Sequence, residues 1–213
     1  MVLSIRLIMR TDQDGIKIYK ILYKQQEVDI KIINNGVSIF TSLFRHEGKS
    51  TIINLVANSL YLLNKKIIVI DCDTRKIKQN LNGIYEYLYN KVILNDILDN
   101  LILYPIITSG NMKNNIKNFF RNDSEKEKFK ILLEELKKQY DYILIDTPPI
   151  HEFTDAIDIS CFCDSVILIK DYYKINNNLN PTDIERLKKL NISLEILNYT
   201  QNCGGNNNEY YQI

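Results

Sequence analysis

Tryptophan is absent from this chain, and there are only 7 glycines and 4 prolines against a heavy use of isoleucine, asparagine and lysine. That bias reads as AT-rich coding, and it carries no functional meaning. Charge of one sign is also missing. With 27 Lys and Arg against 26 Asp and Glu, the net charge of +1 gives no argument for a nucleic-acid surface. The 4 cysteines, Cys72, Cys161, Cys163 and Cys203, form no Cys-x-x-Cys pair, and with only 2 histidines they argue against a zinc site. No secretory leader is visible, so the expectation is a reducing cytoplasm and free thiols. No apolar stretch approaches the roughly 20 residues of a bilayer span, so membrane association is expected to run through a partner. Internal repeats and a second domain are not seen. What remains is 213 residues, 45% of them hydrophobic. That is enough for one globular domain, residues 1–213, with a full-sized core.

Short apolar runs alternate with helical patterns. Residues 37–40 form a mostly apolar segment that includes Ser38, and residues 67–70, 142–145 and 166–169 are continuous apolar segments, all suited to buried strands. Residues 104–107 and 194–197 are weaker strands. Ile52, Leu55, Val56, Leu60 and Leu63 follow a helical period, as do Phe129, Leu132, Leu133, Leu136 and Tyr140. Ser124 with Glu127 reads as the capping box of the second helix, and Asn180-Pro181 as the start of another. Residues 1–36 read as a variable N-terminal segment with a short helix over 15–26, and residues 199–213 as a flexible polar tail. Parallel strands need crossover helices, so the pattern predicts an α/β three-layer sandwich with a mostly parallel central sheet.

Directly after the first of these strands stands His46-Glu47-Gly48-Lys49-Ser50-Thr51. Strand, tight loop, Gly-Lys-Ser and amphipathic helix make an anion site. Backbone N–H groups at the helix start aim at phosphate oxygens, and the helix dipole favours their charge. In such a loop the lysine reaches the β and γ phosphates and the serine hydroxyl sits on Mg²⁺. The usual pattern opens with one more glycine, where this chain has Leu43. Asp71 and Asp73 follow the 67–70 run, and Asp146 follows 142–145, ahead of Thr147-Pro148-Pro149. Ligands of open α/β sheets bind at the carboxyl ends of the strands, and all three clusters fall there. A plain turn and solvated strand-end carboxylates would explain each cluster alone; their joint occurrence weighs against that.

The segments Glu47-Gly48-Lys49-Ser50-Thr51, Asp71-Cys72-Asp73-Thr74-Arg75-Lys76 and Asp146-Thr147-Pro148-Pro149 together resemble the bacterial tyrosine kinases of the capsular exopolysaccharide family. That family lies in the MinD/ParA-like branch of P-loop ATPases. The resemblance implies a P-loop NTPase-like fold. It also implies an ATP-dependent protein-tyrosine (auto)kinase regulating capsular or exopolysaccharide synthesis or export, with ATP and Mg²⁺ as cofactors. The roles it implies are specific. Lys49 and Asp71 are catalytic, Asp71 as base or orienter for the incoming tyrosine hydroxyl. Glu47, Gly48, Lys49, Ser50 and Thr51 bind the nucleotide, and Asn198 reads adenine. Ser50, Asp73 and Asp146 hold the metal. Tyr199, Tyr210 and Tyr211 are the expected phosphorylation sites.

The same resemblance implies a membrane-embedded adaptor of the polysaccharide co-polymerase type, and hence a cytoplasmic chain at the inner face of the membrane. The family also self-associates through a motif that aligns with Lys17, Lys20 and Tyr23, where only Lys20 keeps its character, so the motif is degraded here. Arg45-His46 stand where the family has Pro-Gly, and a histidine takes a positive φ only at a cost. Two other functions compete with the kinase: a MinD/ParA-like ATPase switch, and a catalytically impaired nucleotide-binding relative acting as an interaction module.

Overall fold

The computed structural model describes residues 5–11, 17–23, 33–73, 82–89, 91–99, 103–111, 120, 122–174 and 179–198. In chain order the strands are β1 (Ile5–Thr11), β2 (Lys17–Tyr23), β3 (Gly36–Ser42), β4 (Ile67–Asp71), β5 (Leu98–Asp99), β6 (Ile106–Ile107), β7 (Tyr142–Asp146), β8 (Ser165–Asp171) and β9 (Leu194–Asn198). The helices are α1 (Lys49–Leu62), α2 (Ile84–Leu88), α3 (Asp123–Leu136), α4 (Asp155–Ile159) and α5 (Pro181–Lys188). The nine strands of the described residues share one sheet in the order β1-β2-β9-β8-β3-β7-β4-β6-β5. The pairings from β2 across to β6 are parallel, and only the two edge pairings, β1 with β2 and β5 with β6, are antiparallel. The sheet is mostly parallel, as the crossover pattern predicts.

Strand periodicity explains the three layers. Val37, Ile39, Ile68, Ile70, Ile143 and Ile145 face one core, which Phe129, Leu132, Leu133 and Leu136 of α3 close. Their neighbours Phe40, Ile67, Val69, Tyr142 and Leu144 face the other core, under Ile52, Ile53, Val56, Ala57 and Leu60 of α1. Each such fully buried side chain contributes about 1.5–3 kcal/mol of transfer free energy, so both faces of the central strands are fixed. Because successive residues alternate, Asp71 falls on the same face as Val69, and Asp146 on the same face as Leu144. That is the α1 face.

Two local expectations are corrected. The helix expected over residues 15–26 is the strand β2, which pairs with both β1 and β9. Strand pairing on both sides outweighs an apolar spacing that also fits a helical turn. The box at the start of α3 is formed earlier than Ser124 and Glu127. The Asn122 backbone N–H donates to Glu125 Oε2 at 3.2 Å, and Asp123 is the first helical residue. The start expected at Asn180-Pro181 is observed: the Asp183 backbone N–H donates to Asn180 Oδ1 at 2.8 Å at the head of α5. Among the described residues no helix is long and apolar enough to cross a membrane.

Candidate nucleotide site

The loop between β3 and α1 is built from the inside by Glu47. Its side chain, 3% exposed, reaches back so that Oε2 accepts from the Phe44 N–H at 2.8 Å and Oε1 from the Asp171 N–H at 3.3 Å. Burial pushes the Glu47 carboxyl above its usual value, against the pull of these N–H groups and of Lys174. The loop turns through left-handed backbone twice, at His46 (φ 62°) and at Gly48 (φ 88°). Gly48 is required for a second reason: a Cβ there would stand 2.3 Å from Asn198 Nδ2. That amide donates to the Glu47 carbonyl at 3.0 Å, so the end of β9 seals the loop from behind.

Lys49 opens α1 and is buried, and Ser50 follows it. The Ser50 hydroxyl donates to Asp146 Oδ2 at 2.6 Å. Asp71 pairs in register with Asp146 across β4 and β7, and its Oδ1 accepts from the Asp73 N–H at 2.9 Å. Lys49, Ser50, Asp71 and Asp146 therefore share the carboxyl edge of the sheet on the α1 face, with Asp73 half-buried beside them. Thr51 is exposed on the first turn of α1. Asn198 is brought to the loop backbone. Tyr199, Tyr210 and Tyr211, with Thr74, Arg75 and Lys76, lie outside the described residues. Among the described residues no three His, Cys, Asp or Glu converge into a ready-made metal cage. The oxygens of Ser50 and Asp146 suit instead a hard cation shared with a phosphate ligand.

Thr147-Pro148-Pro149 carries the chain along the phosphate loop. Thr147 donates to the Phe40 carbonyl from its N–H (3.2 Å) and its hydroxyl (3.0 Å). Ile150 N–H reaches the Ser42 carbonyl at 2.9 Å, and His151 N–H the Leu43 carbonyl at 3.0 Å. His151 is held by both its ring and its carbonyl. Its Nδ1 lies 2.8 Å from Oδ1 of the buried Asp183, its ring packs at 5.0 Å on Phe44, and Arg186 donates to the carbonyls of Ile150 (2.7 Å) and His151. No local pattern announces this clamp, because Asp183 stands 32 positions away in sequence. Asp171 was equally unmarked, although it ends an apolar strand just as Asp71 and Asp146 do.

The sequence profile of a family described as an AAA domain matches residues 47–196. Over 154 residues the chain is 32% identical to the tyrosine-protein kinase CpsD of Streptococcus agalactiae, covering 68% of this chain and 66% of that kinase. The match thus spans slightly less than two-thirds of the relative's length. The kinase domain of VpsO superposes with a TM-score of 0.61 at 29% identity, covering 76% of this chain and 83% of that one. The kinase domain of the Escherichia coli tyrosine kinase ETK gives a TM-score of 0.63 at 23% identity over 77% and 67% of the two chains, a likeness of fold.

Proposed function

This chain belongs to the AAA-domain family, and on that premise we propose that it is one of the bacterial capsular tyrosine kinases that it resembles in sequence and fold, an ATP-dependent protein-tyrosine kinase serving capsular or exopolysaccharide synthesis or export. One arrangement carries the reading: Lys49 and Ser50 at the head of α1, the Ser50 hydroxyl 2.6 Å from Asp146, and Asp71 in register beside it. Nucleotide binding goes with the family.

In this reading the backbone N–H groups from Gly48 to Thr51 bind the phosphates and Lys49 neutralises their charge. Ser50 and Asp146 would hold Mg²⁺, with Asp73 joining through water, and the bound ion supplies further neutralisation of the phosphate oxygens. Asn198 acts at the base end of the site while holding the loop. The acceptor's phenolic oxygen bonds to the γ phosphorus as the bond from that phosphorus to the β–γ bridging oxygen breaks. ADP leaves with the bonding pair, and Asp71 takes the phenolic proton. A phenol has a pKa of about 10, so an aligned carboxylate helps most as charge develops. Acceptors include Tyr199, Tyr210 and Tyr211, and a membrane-embedded adaptor of the polysaccharide co-polymerase type supplies the activating contact.

Calorimetric titration with Mg-ATP and Mg-ADP is the first test, with Lys49→Ala as control. Saturable binding that the substitution abolishes is the expected outcome, and no binding to the wild-type chain would sink the reading. Phosphotyrosine mapping after incubation with Mg-ATP and the adaptor's cytoplasmic tail then separates transfer from binding. Tight binding without phosphotyrosine would leave an interaction module or an ATPase switch.

A further inference from the structure

Beyond the end of β8 the chain turns over Tyr172–Lys174, and this short turn, with the last residue of β8, is tied to the phosphate loop at two points. The Asp171 N–H donates to Glu47 Oε1 at 3.3 Å. Lys174 Nζ donates to the His46 carbonyl at 3.4 Å, and the same ammonium pairs with Asp171 Oδ2 at 3.5 Å. The two tyrosines carried on this brace are exposed, Tyr172 at 45% and Tyr173 at 56%, with their rings edge to face at 5.5 Å. Tyr61, also exposed, lies near the far end of α1. So the carboxyl edge of the sheet, where the phosphates would bind, presents two accessible phenols beside the loop.

We infer that Tyr172 and Tyr173 are phosphoacceptors of this chain's own kinase reaction, and that a phosphate there weakens nucleotide binding. The inference rests on the kinase reading above. The step balances as already written: the phenolic oxygen of Tyr172 or Tyr173 takes the γ phosphorus from ATP, ADP leaves, and the proton passes to Asp71. Its consequence follows from charge. A phosphotyrosine adds about −1.5 to −2 at neutral pH and three strong acceptor oxygens. Placed on this turn, it competes for the Lys174 ammonium that holds the His46 carbonyl. It also adds negative charge beside Asp171 and beside the site that must receive ATP. The reaction would thereby limit itself, with each modified turn loosening the loop that feeds it.

The test has two arms. In the first, the full chain is incubated with Mg-ATP, with and without the adaptor tail, and phosphosites are mapped by mass spectrometry. Phosphate on Tyr172 or Tyr173, absent from the Lys49→Ala variant, supports the inference. Phosphate on other tyrosines alone overturns it and leaves the kinase reading standing, whereas no phosphotyrosine anywhere overturns both. The second arm needs no transfer. Titration with Mg-ADP should show affinity about tenfold weaker in the Tyr172→Glu/Tyr173→Glu variant, the size of one lost contact to a charged group. Tyr172→Phe/Tyr173→Phe should bind like the wild type. Equal affinity in the Glu and Phe variants overturns the feedback.

Discussion

Position 46 is where a single side chain carries the most consequence. The phosphate loop needs left-handed backbone there, and histidine supplies it at φ 62°. Only glycine adopts that region without steric cost, so His46→Gly should raise unfolding stability by about 1 kcal/mol. Urea denaturation would read this; an unchanged midpoint means that the surroundings relieve the strain. The Lys174 contact uses the His46 backbone carbonyl, so the substitution leaves it in place. The thiols offer a second residue-scale test. Burial pushes the Cys72 thiol well above its usual range and that of Cys163 up to about 12, while Cys161 is exposed. The thiolate is the reactive form, so at pH 8 iodoacetamide should label Cys161 and spare Cys72 and Cys163 until the chain unfolds. Peptide mapping with and without denaturant checks it. At this scale the sequence was legible where chemistry is local: Gly-Lys-Ser after a strand, and acids at strand ends. It was silent about Glu47 as the inner brace of the loop, because that role depends on two N–H groups, one of them 124 positions away.

Among elements, the clamp between the segment after β7 and α5 does work that helix propensity alone does not explain. Asp183 lies at the capped N-terminus of α5 and holds His151, whose N–H bonds the phosphate loop. A double-mutant cycle with His151→Ala and Asp183→Ala should show coupling of about 1 kcal/mol in unfolding free energy. His151→Ala should also raise KM for ATP more than it lowers kcat, since it touches the loop and not the transferred group. Additive effects would mean that the pair does not act as a unit. The central strands were readable because short apolar runs rich in isoleucine and valine, each ending in polar residues, suit buried strands. The 15–26 segment was not, since Ile16, Tyr19, Ile21 and Leu22 suit a helix turn as well as a strand, and only pairing with its neighbours decides between them.

For the whole molecule, that pairing has a measurable outcome. The β2 strand covers the outer edge of β9, the strand whose last residue, Asn198, holds the phosphate loop. Deleting residues 1–32 should leave the two cores intact and expose the edge of β9 as a template for pairing with another chain. Light scattering should then report self-association, and Mg-ADP affinity should fall as β9 loses support. A monomeric deletion variant with full affinity would show that β1 and β2 are dispensable to the site.

The bond between Asn198 and Glu47 spans 151 positions, and that separation sets an order of events during synthesis. A ribosome delivers Gly48, Lys49 and Ser50 long before the strand that backs them, and non-local pairings of this kind form late. A nascent chain that ends short of residue 198 therefore carries the whole phosphate-binding motif without the amide that closes it from behind. ATP in the cell, however abundant, would have little purchase on such a chain. Its stabilising influence would begin only when the last strand has docked, so the nucleotide rewards completed folding and cannot guide its early steps.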